Sequence, residues 1–181
     1  MDVSNCIGED YEKLDRMVIS IYQDYNLLEF PIDIFKLCKR MGLKLFKYSS
    51  FEGNNLKLLK KKSNDGFYCP TPDGPAIFYN DKGHTEERIR MTIGHEIKHF
   101  VCNDVTEDDK EERMADHFAR FLLCPTPFLV YFEISSVFEI MDTFQLSYSA
   151  ATSAQNALKG RCNYYKNKIF DYEQPLIKLF I

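Results

Sequence analysis

The sequence predicts an α+β fold, namely a mainly helical domain with a small sheet of about three strands and further helices at its C-terminal end. Three regions predict it: apolar residues at helical spacing over 9–25, short apolar or alternating runs bounded by Gly and Pro over 43–79, and amphipathic helical patterns from about residue 85 onward. With 181 residues, 45% of them hydrophobic, the chain can bury one sizeable core. We therefore expect a single domain over 1–181, with N-terminal helices at 1–40, the sheet and two following helices at 41–125, and a C-terminal helical segment at 126–181.

The first half of the chain predicts two helices and three strands. A helix over 9–25 has Leu14, Val18 and Tyr22 on one face, and Pro31 is expected to open a second helix that runs through Cys38. Strands are expected at 43–48, 67–69 and 76–79. The lysine-rich run at 57–62 is interpreted as a solvated loop or helix face.

The second half is predicted to be helical. One helix follows Thr85 and runs to about Cys102, with an apolar stripe that includes Ile89, Ile93 and Ile97. A second helix is expected from Glu107 to Leu123, with Thr106 as its N-cap. Its end is placed before Cys124 because Pro125 disfavours further helix. Three shorter helices should follow at about 126–133, 135–143 and 147–160.

Composition limits the classes of function. The net charge of −4 and the isoelectric point of about 5.6 give no basic field for nucleic acid, so direct nucleic-acid binding is not expected. The N-terminus lacks a secretory pattern and no segment is long enough to cross a bilayer, so we expect a cytoplasmic protein with no membrane partner. The six cysteines form no Cys-x-x-Cys pair, which favours reduced thiols.

The sequence HEIKH, residues 95–99, lies on the first of the two central helices. At about 100° per residue, His95 and His99 lie about 40° apart and one turn apart, so both imidazoles can reach one metal ion. Glu96 lies beside them on the helical wheel, where a carboxylate can act as a general base on water without binding the metal. This spacing is typical of zinc peptidases with a zincin-like fold.

A catalytic zinc site needs a third protein ligand and one open position. Glu112 is the best candidate, because Glu112 and Asp116 stand at i and i+4 on the next helix, on a face with small alanines that allow close approach. Asp116 is then expected to accept a hydrogen bond from one histidine and fix its tautomer. The predicted Zn²⁺ ligands are His95, His99 and Glu112, with Glu96 catalytic.

Two stretches carry a resemblance to a known family: IFYNDKGHTEERIRMTIGHEIKHF at 77–100 and EERMADHFARFLLCP at 111–125. They resemble the core of the ImmA/IrrE metallopeptidases, a gluzincin-like family, and the resemblance extends over most of the chain. The family pattern falls on Asn80, Arg88 or Arg90, Glu112, Ala115, Asp116, Phe118, Ala119 and Pro125. Ile97 and Lys98 replace a common Leu-Gly, and Cys124 replaces a frequent Met; none is a ligand position.

The resemblance implies limited proteolysis of a protein substrate, a helix-turn-helix transcriptional repressor of a phage or mobile element. In the expected reaction Glu96 takes a proton from water at the zinc, and a strand edge, for which 76–79 is one candidate, holds the substrate backbone. No donor for the oxyanion is identifiable, and the C-terminal segment 171–181 is one candidate for a cover over the opening.

Other interpretations remain open. Residues 138–161 have the spacing of a helix-turn-helix, which leaves a DNA-binding or sensor module that uses the C-terminal helices as an alternative. A structural-zinc interaction protein is another, and it would require a fourth protein ligand such as Cys102. His117 is expected to point away from the metal, and His84 to lie at the surface or cap the helix that follows it rather than assist an oxyanion.

Overall fold

The computed structural model describes residues 3–103 and 108–181, with side chains from residue 10 onward. The chain divides into two compact units, one made of Met1–Ile32 with Arg120–Ile181 and the other of Asp33–Ala119. The described residues are mainly helical and include a small mixed sheet, so the predicted α+β class is confirmed. The single-domain organisation stays a prediction.

The sheet belongs to the unit Asp33–Ala119 and, within the described residues, contains β1 (Lys44–Lys47), β2 (Gly66–Thr71) and β3 (Gly74–Tyr79). β3 lies in the middle, parallel to β1 and antiparallel to β2. The three predicted strands are therefore present. The suggestion that 76–79 forms an exposed edge is wrong, because both sides of β3 are already paired; β2 and β1 form the edges.

Among the described residues, six α-helices come before residue 132: α1 (Val3–Asp24), α2 (Ile34–Arg40), α3 (Gly53–Lys62), α4 (Glu86–Cys102), α5 (Asp109–Leu123) and α6 (Thr126–Tyr131). The expected start of α2 at Pro31 is wrong, because the Asp33 side chain accepts a hydrogen bond from Lys36 N at 2.9 Å and caps the helix two residues later. Helix α3 buries none of its residues, and its lysine-rich end is the run interpreted as a solvated loop or helix face.

The bounds of α4 match the prediction. The Thr85 side chain accepts from Arg88 N, and Asn103 ends the helix in the left-handed conformation with φ 52°. Helix α5 ends at Leu123 as expected. The predicted cap Thr106 and first residue Glu107 lie outside the described residues, and the observed first turn has Asp108 Oδ1 accepting from the next N–H groups, Lys110 N and Glu111 N, both at 2.9 Å.

The two central helices approach closely at one point. A Cβ placed on Gly94 of α4 would lie 3.2 Å from the Cβ of Ala119 on α5. The small residues therefore allow the close contact that the sequence suggested for the alanine-bearing face of α5. This contact lies near the end of the unit Asp33–Ala119 and keeps the first histidine of the motif near the second helix.

The other unit combines α1 and α6 with α7 (Val137–Phe144), α8 (Tyr148–Tyr165) and α9 (Gln174–Ile177). The three shorter helices predicted after residue 125 are thus confirmed, with α9 in addition. The core of this unit contains an aromatic cluster. The Phe30 ring stacks on that of Phe180, with ring centroids 5.3 Å apart, and packs edge-on against Phe128 and Phe144.

The C-terminal residues pack within the same unit, made of Met1–Ile32 and Arg120–Ile181. Glu173 is fully buried and accepts two 2.6 Å hydrogen bonds from Arg161, while Tyr172 OH donates to Asp15 on α1 at 3.1 Å. Helix α9 contacts α1 and α6. The ion pair and the aromatic contacts together hold 171–181 against its own unit.

Two further sequence expectations can be compared with the described residues. Cys38, Cys69, Cys102, Cys124 and Cys162 are free thiols there, in line with the reduced state expected. Among the described helices, none has the length and apolar character needed to traverse a bilayer.

Candidate metal centre

Three side chains of the unit Asp33–Ala119 converge at the junction of α4 and α5. The rings of His95 and His99 lie side by side on α4 with centroids 5.1 Å apart. Glu112, from the first turn of α5, places Oε2 3.3 Å from His95 Nε2 and Oε1 3.7 Å from His99 Nε2. One potential ligand atom from each residue lies within 4.8 Å of the others. The structure thus brings together the three ligands that the sequence predicted.

The donor set fits a metal ion. Two imidazole nitrogens and one carboxylate oxygen are the protein ligands of many catalytic zinc sites, which keep a fourth position open. The cluster of metal-binding side chains found among the described residues consists of these three and does not include Cys102 or His117. The donor geometry therefore supports a site for a divalent metal ion.

Asp116 contacts His95 at Nδ1, the ring nitrogen other than the one near Glu112. Its Oδ1 lies 3.0 Å from His95 Nδ1, one helical turn after Glu112 on α5. A carboxylate at Nδ1 holds the proton there and leaves the Nε2 lone pair directed at the cluster. The position is the one that the sequence predicted for Asp116, although its side chain is 74% exposed.

The electrostatic surroundings of His95 act in two directions. Burial alone lowers its pKa, since it disfavours the charged imidazolium. The hydrogen bond to Asp116 and the negative charges of Glu96, Glu112 and Asp116 outweigh this effect, so the net pKa is raised above its ordinary value. Three carboxylates around one imidazole therefore attract a cation, either a proton or a metal ion.

Glu96 lies beside the metal cluster and is tied to the sheet. It is 8% exposed, and its Oε2 accepts a 2.7 Å hydrogen bond from Tyr68 N of β2. Because that N–H points away from β3, it belongs to the outer edge of the sheet. The carboxylate predicted as general base is thus oriented by a backbone donor.

A cleft of about 330 Å³ is lined by His95 and Glu112 of the cluster and by Glu96. Its far wall carries an ion pair in which Arg88 Nη2 lies 2.9 Å from both carboxylate oxygens of Asp65. His84 Nε2 also lies 2.9 Å from Asp65 Oδ1, and the His84 side chain is 12% exposed. His84 does not cap α4, since the Thr85 side chain caps that helix.

Sequence reasoning missed two features of the site. Lys98, inside the HEIKH motif, is fully buried and forms an ion pair with Glu111 of α5. The second is the backbone N–H of Tyr68, which donates to Glu96 and cannot be recognised from the type of residue. The signal for Lys98 was available, since a lysine at this point of an apolar stripe has to be paired when buried.

The fold and the site define a metallopeptidase-type protein, with an HExxH helix and a carboxylate from the following helix. Residues 38–153 match the IrrE N-terminal-like domain, a peptidase family, and the chain belongs to that family. The match spans the sheet, α4 and α5, and so includes the whole candidate site, which confirms the resemblance read from the sequence. No curated protein matches the chain.

Proposed function

We propose that this protein is a zinc-dependent endopeptidase. The observation that carries the proposal is the convergence of His95, His99 and Glu112 within 4.8 Å, with the buried Glu96 lining the same cleft as two of them. In the described residues the cluster has three ligands, which matches the open coordination of catalytic zinc better than a closed structural site. Membership of a peptidase family supports hydrolysis of peptide bonds.

His95, His99 and Glu112 would hold the zinc, which when bound supplies Lewis acidity that activates water and polarises a carbonyl group. Asp116 keeps the His95 proton on Nδ1, so that Nε2 faces the ion. Glu96 accepts a proton from the attacking water and delivers it to the leaving amine. Its hydrogen bond from Tyr68 N orients the carboxylate for that transfer.

The outer edge of β2 is the proposed support for the substrate backbone. In an antiparallel strand, the N–H and C=O of one residue point to the same side, so the carbonyl of Tyr68 faces the edge beside the N–H that donates to Glu96, and this carbonyl can accept from a substrate N–H. An extended peptide can add to such an edge through main-chain hydrogen bonds. The scissile bond would then lie next to Glu96.

The proposed substrate is a helix-turn-helix repressor of a phage or mobile element. This part of the proposal rests on the family and on the requirement for an extended segment, which a linker between repressor domains provides. The test is incubation of the purified protein with a repressor encoded beside its gene, with and without chelator. Cleavage that chelator abolishes is the expected result.

Two variants test the chemistry. Glu96→Gln should keep stoichiometric zinc and lose cleavage, whereas His99→Ala should lose the metal. Glu86→Gln, an exposed carboxylate at the start of α4, is the matched control and should cleave normally. A Glu96→Gln variant with wild-type activity would remove Glu96 from the role of base, and a wild-type protein that binds no zinc would end the proposal.

The DNA-binding alternative has less support. Helices α7 and α8 are joined by a three-residue turn with Gln145 in the left-handed conformation, as in a helix-turn-helix. However, α8 buries Ala151 and Ala154, and Gln155 Nε2 donates to Ser135 O while accepting from Lys159. Two of the side chains available for contacting bases are thus engaged within the chain. A mobility shift that weakens with salt would favour the alternative.

A further inference from the structure

Lys98, which lies between His95 and His99 in the sequence, is fully buried, and its ammonium group contacts the carboxylate of Glu111. Removing an ammonium group from water is strongly unfavourable unless an opposite charge and hydrogen bonds compensate. The partner lies on the other helix, so the compensation joins α4 to α5. Such a pair contributes little net stability on average. Its effect is to fix which atoms of the two helices meet.

The first turn of α5 carries both the partner and the third ligand. Glu111 directly precedes Glu112, whose carboxylate is 46% exposed and faces the two imidazoles. The initial N–H groups of a helix lack partners within it, and here Asp108 supplies two of the missing acceptors. Glu112 therefore lies in the terminal turn of α5, where the position of the helix end depends on contacts outside the helix's own hydrogen bonds.

The close contact of Gly94 with Ala119 cannot hold that turn by itself. Seven residues separate Ala119 from Glu112, about 10 Å along the helix. A tilt of α5 by about 6° around this contact would move the first turn by about 1 Å, whereas metal–ligand distances tolerate about 0.2 Å. The hydrogen bond between Asp116 and His95 lies closer, about 6 Å along the helix from Glu112, but the same tilt around it would still move Glu112 by about 0.6 Å. A contact directly beside Glu112 is therefore needed to keep its oxygen in range.

We propose that the Lys98–Glu111 ion pair is a positioning element that fixes the first turn of α5 on α4 and thereby sets Glu112 for metal binding. The inference rests on the proposed metal site. Neither residue binds the ion or contacts the substrate in this account. The pair acts through Glu112, and its loss should appear in the metal affinity of the folded protein.

The main test compares Glu111→Gln with Asp109→Asn. Both changes remove one negative charge from the first turn of α5, so any effect on the helix dipole is matched, and Asp109 is exposed. Zinc affinity of the full chain is measured by competition with a chromogenic chelator. Glu111→Gln should bind zinc about 10- to 100-fold more weakly, as changes behind metal ligands usually do. Asp109→Asn should bind like the wild type.

A second readout separates positioning from plain stability. In a Co²⁺-loaded protein, the visible spectrum reports the coordination geometry, and it should change in Glu111→Gln. Lys98→Met should weaken zinc binding similarly, and adding Glu111→Gln to it should have no further effect, because the two residues act as one unit. If Lys98→Met does not fold, Glu111→Gln alone carries the test.

The outcomes distinguish the two proposals. A wild-type protein that binds no zinc overturns both. A wild-type protein that binds zinc, with Glu111→Gln of equal affinity and unchanged Co²⁺ spectrum, overturns the positioning role alone, even when the melting temperature of the metal-free variant falls. Additive effects of Lys98→Met and Glu111→Gln on zinc affinity would also contradict it.

Discussion

Gly94 gives a quantitative test of how closely α4 and α5 pack. A Cβ at this position would lie 3.2 Å from the Cβ and 3.4 Å from the Cα of Ala119. Carbon atoms prefer separations of about 3.5–4.0 Å, so Gly94→Ala has to push the helices apart by a few tenths of an ångström. The expected cost of such overpacking is about 1–3 kcal/mol.

Gly160, in α8, is the matched control, because a Cβ there meets nothing within 4 Å. Each Gly→Ala change in a helix gains about 1 kcal/mol of helix propensity. Gly160→Ala should therefore raise the free energy of unfolding by about 1 kcal/mol, and Gly94→Ala should leave it unchanged or lower it by up to about 2 kcal/mol. The difference between the variants isolates the contact with Ala119.

Urea unfolding of the metal-free proteins measures both values. Combining Gly94→Ala with Ala119→Gly should recover part of the loss in a double-mutant cycle, because the second change removes the atom that clashes. Equal stabilisation by Gly94→Ala and Gly160→Ala would refute the close approach. Zinc affinity should also fall in Gly94→Ala, since Glu112 moves with α5.

Three further predictions concern the site and the thiols. Asp116→Asn should weaken zinc binding about 10- to 100-fold in a chelator competition, and an unchanged affinity would leave Asp116 as helix surface. Zinc affinity should fall as the pH decreases, because His95 has a raised pKa and must lose its proton to bind; in Asp116→Asn its pKa falls, so the loss should move to lower pH, and an unmoved midpoint would contradict this account. Iodoacetamide should label the exposed Cys162 and spare Cys124, since burial raises the pKa of the Cys124 thiol to about 12; mass spectrometry that finds Cys124 labelled in folded protein would exclude its burial.

The helices of the site could be predicted because their signals are local. Apolar residues at helical spacing, Thr85 at the start and Pro125 beyond the end define α4 and α5 closely. The strands were also found, because Gly and Pro bound them. Helix α3 was not predicted, because Leu56 and Leu59 give only a short i, i+3 pair beside a run of lysines, which does not separate a helix from a solvated loop.

The order of the strands in the sheet could not be predicted from the sequence. The parallel pairing of β1 with β3 joins residues about 32 positions apart, and nothing local distinguishes a central strand from an edge strand of this length. The exposed edge was therefore assigned to 76–79 instead of β2. The hydrogen-bond donor to Glu96 could not be predicted either. A backbone N–H is present at almost every residue, and only the fold selects that of Tyr68.

The acids of α5 show how local and long-range information combine. Glu111 and Glu112 are adjacent and chemically identical, and the i, i+4 relation to Asp116 favoured Glu112 as the ligand. Adjacent helix positions differ by about 100°, so when one faces the histidines the other faces a different part of α4. In the structure that part is Lys98, a residue with no ligand role. Choosing Glu112 as the ligand therefore leaves Glu111 directed at a buried cation, and the unusual lysine in the motif and the paired acids on the next helix have one common explanation.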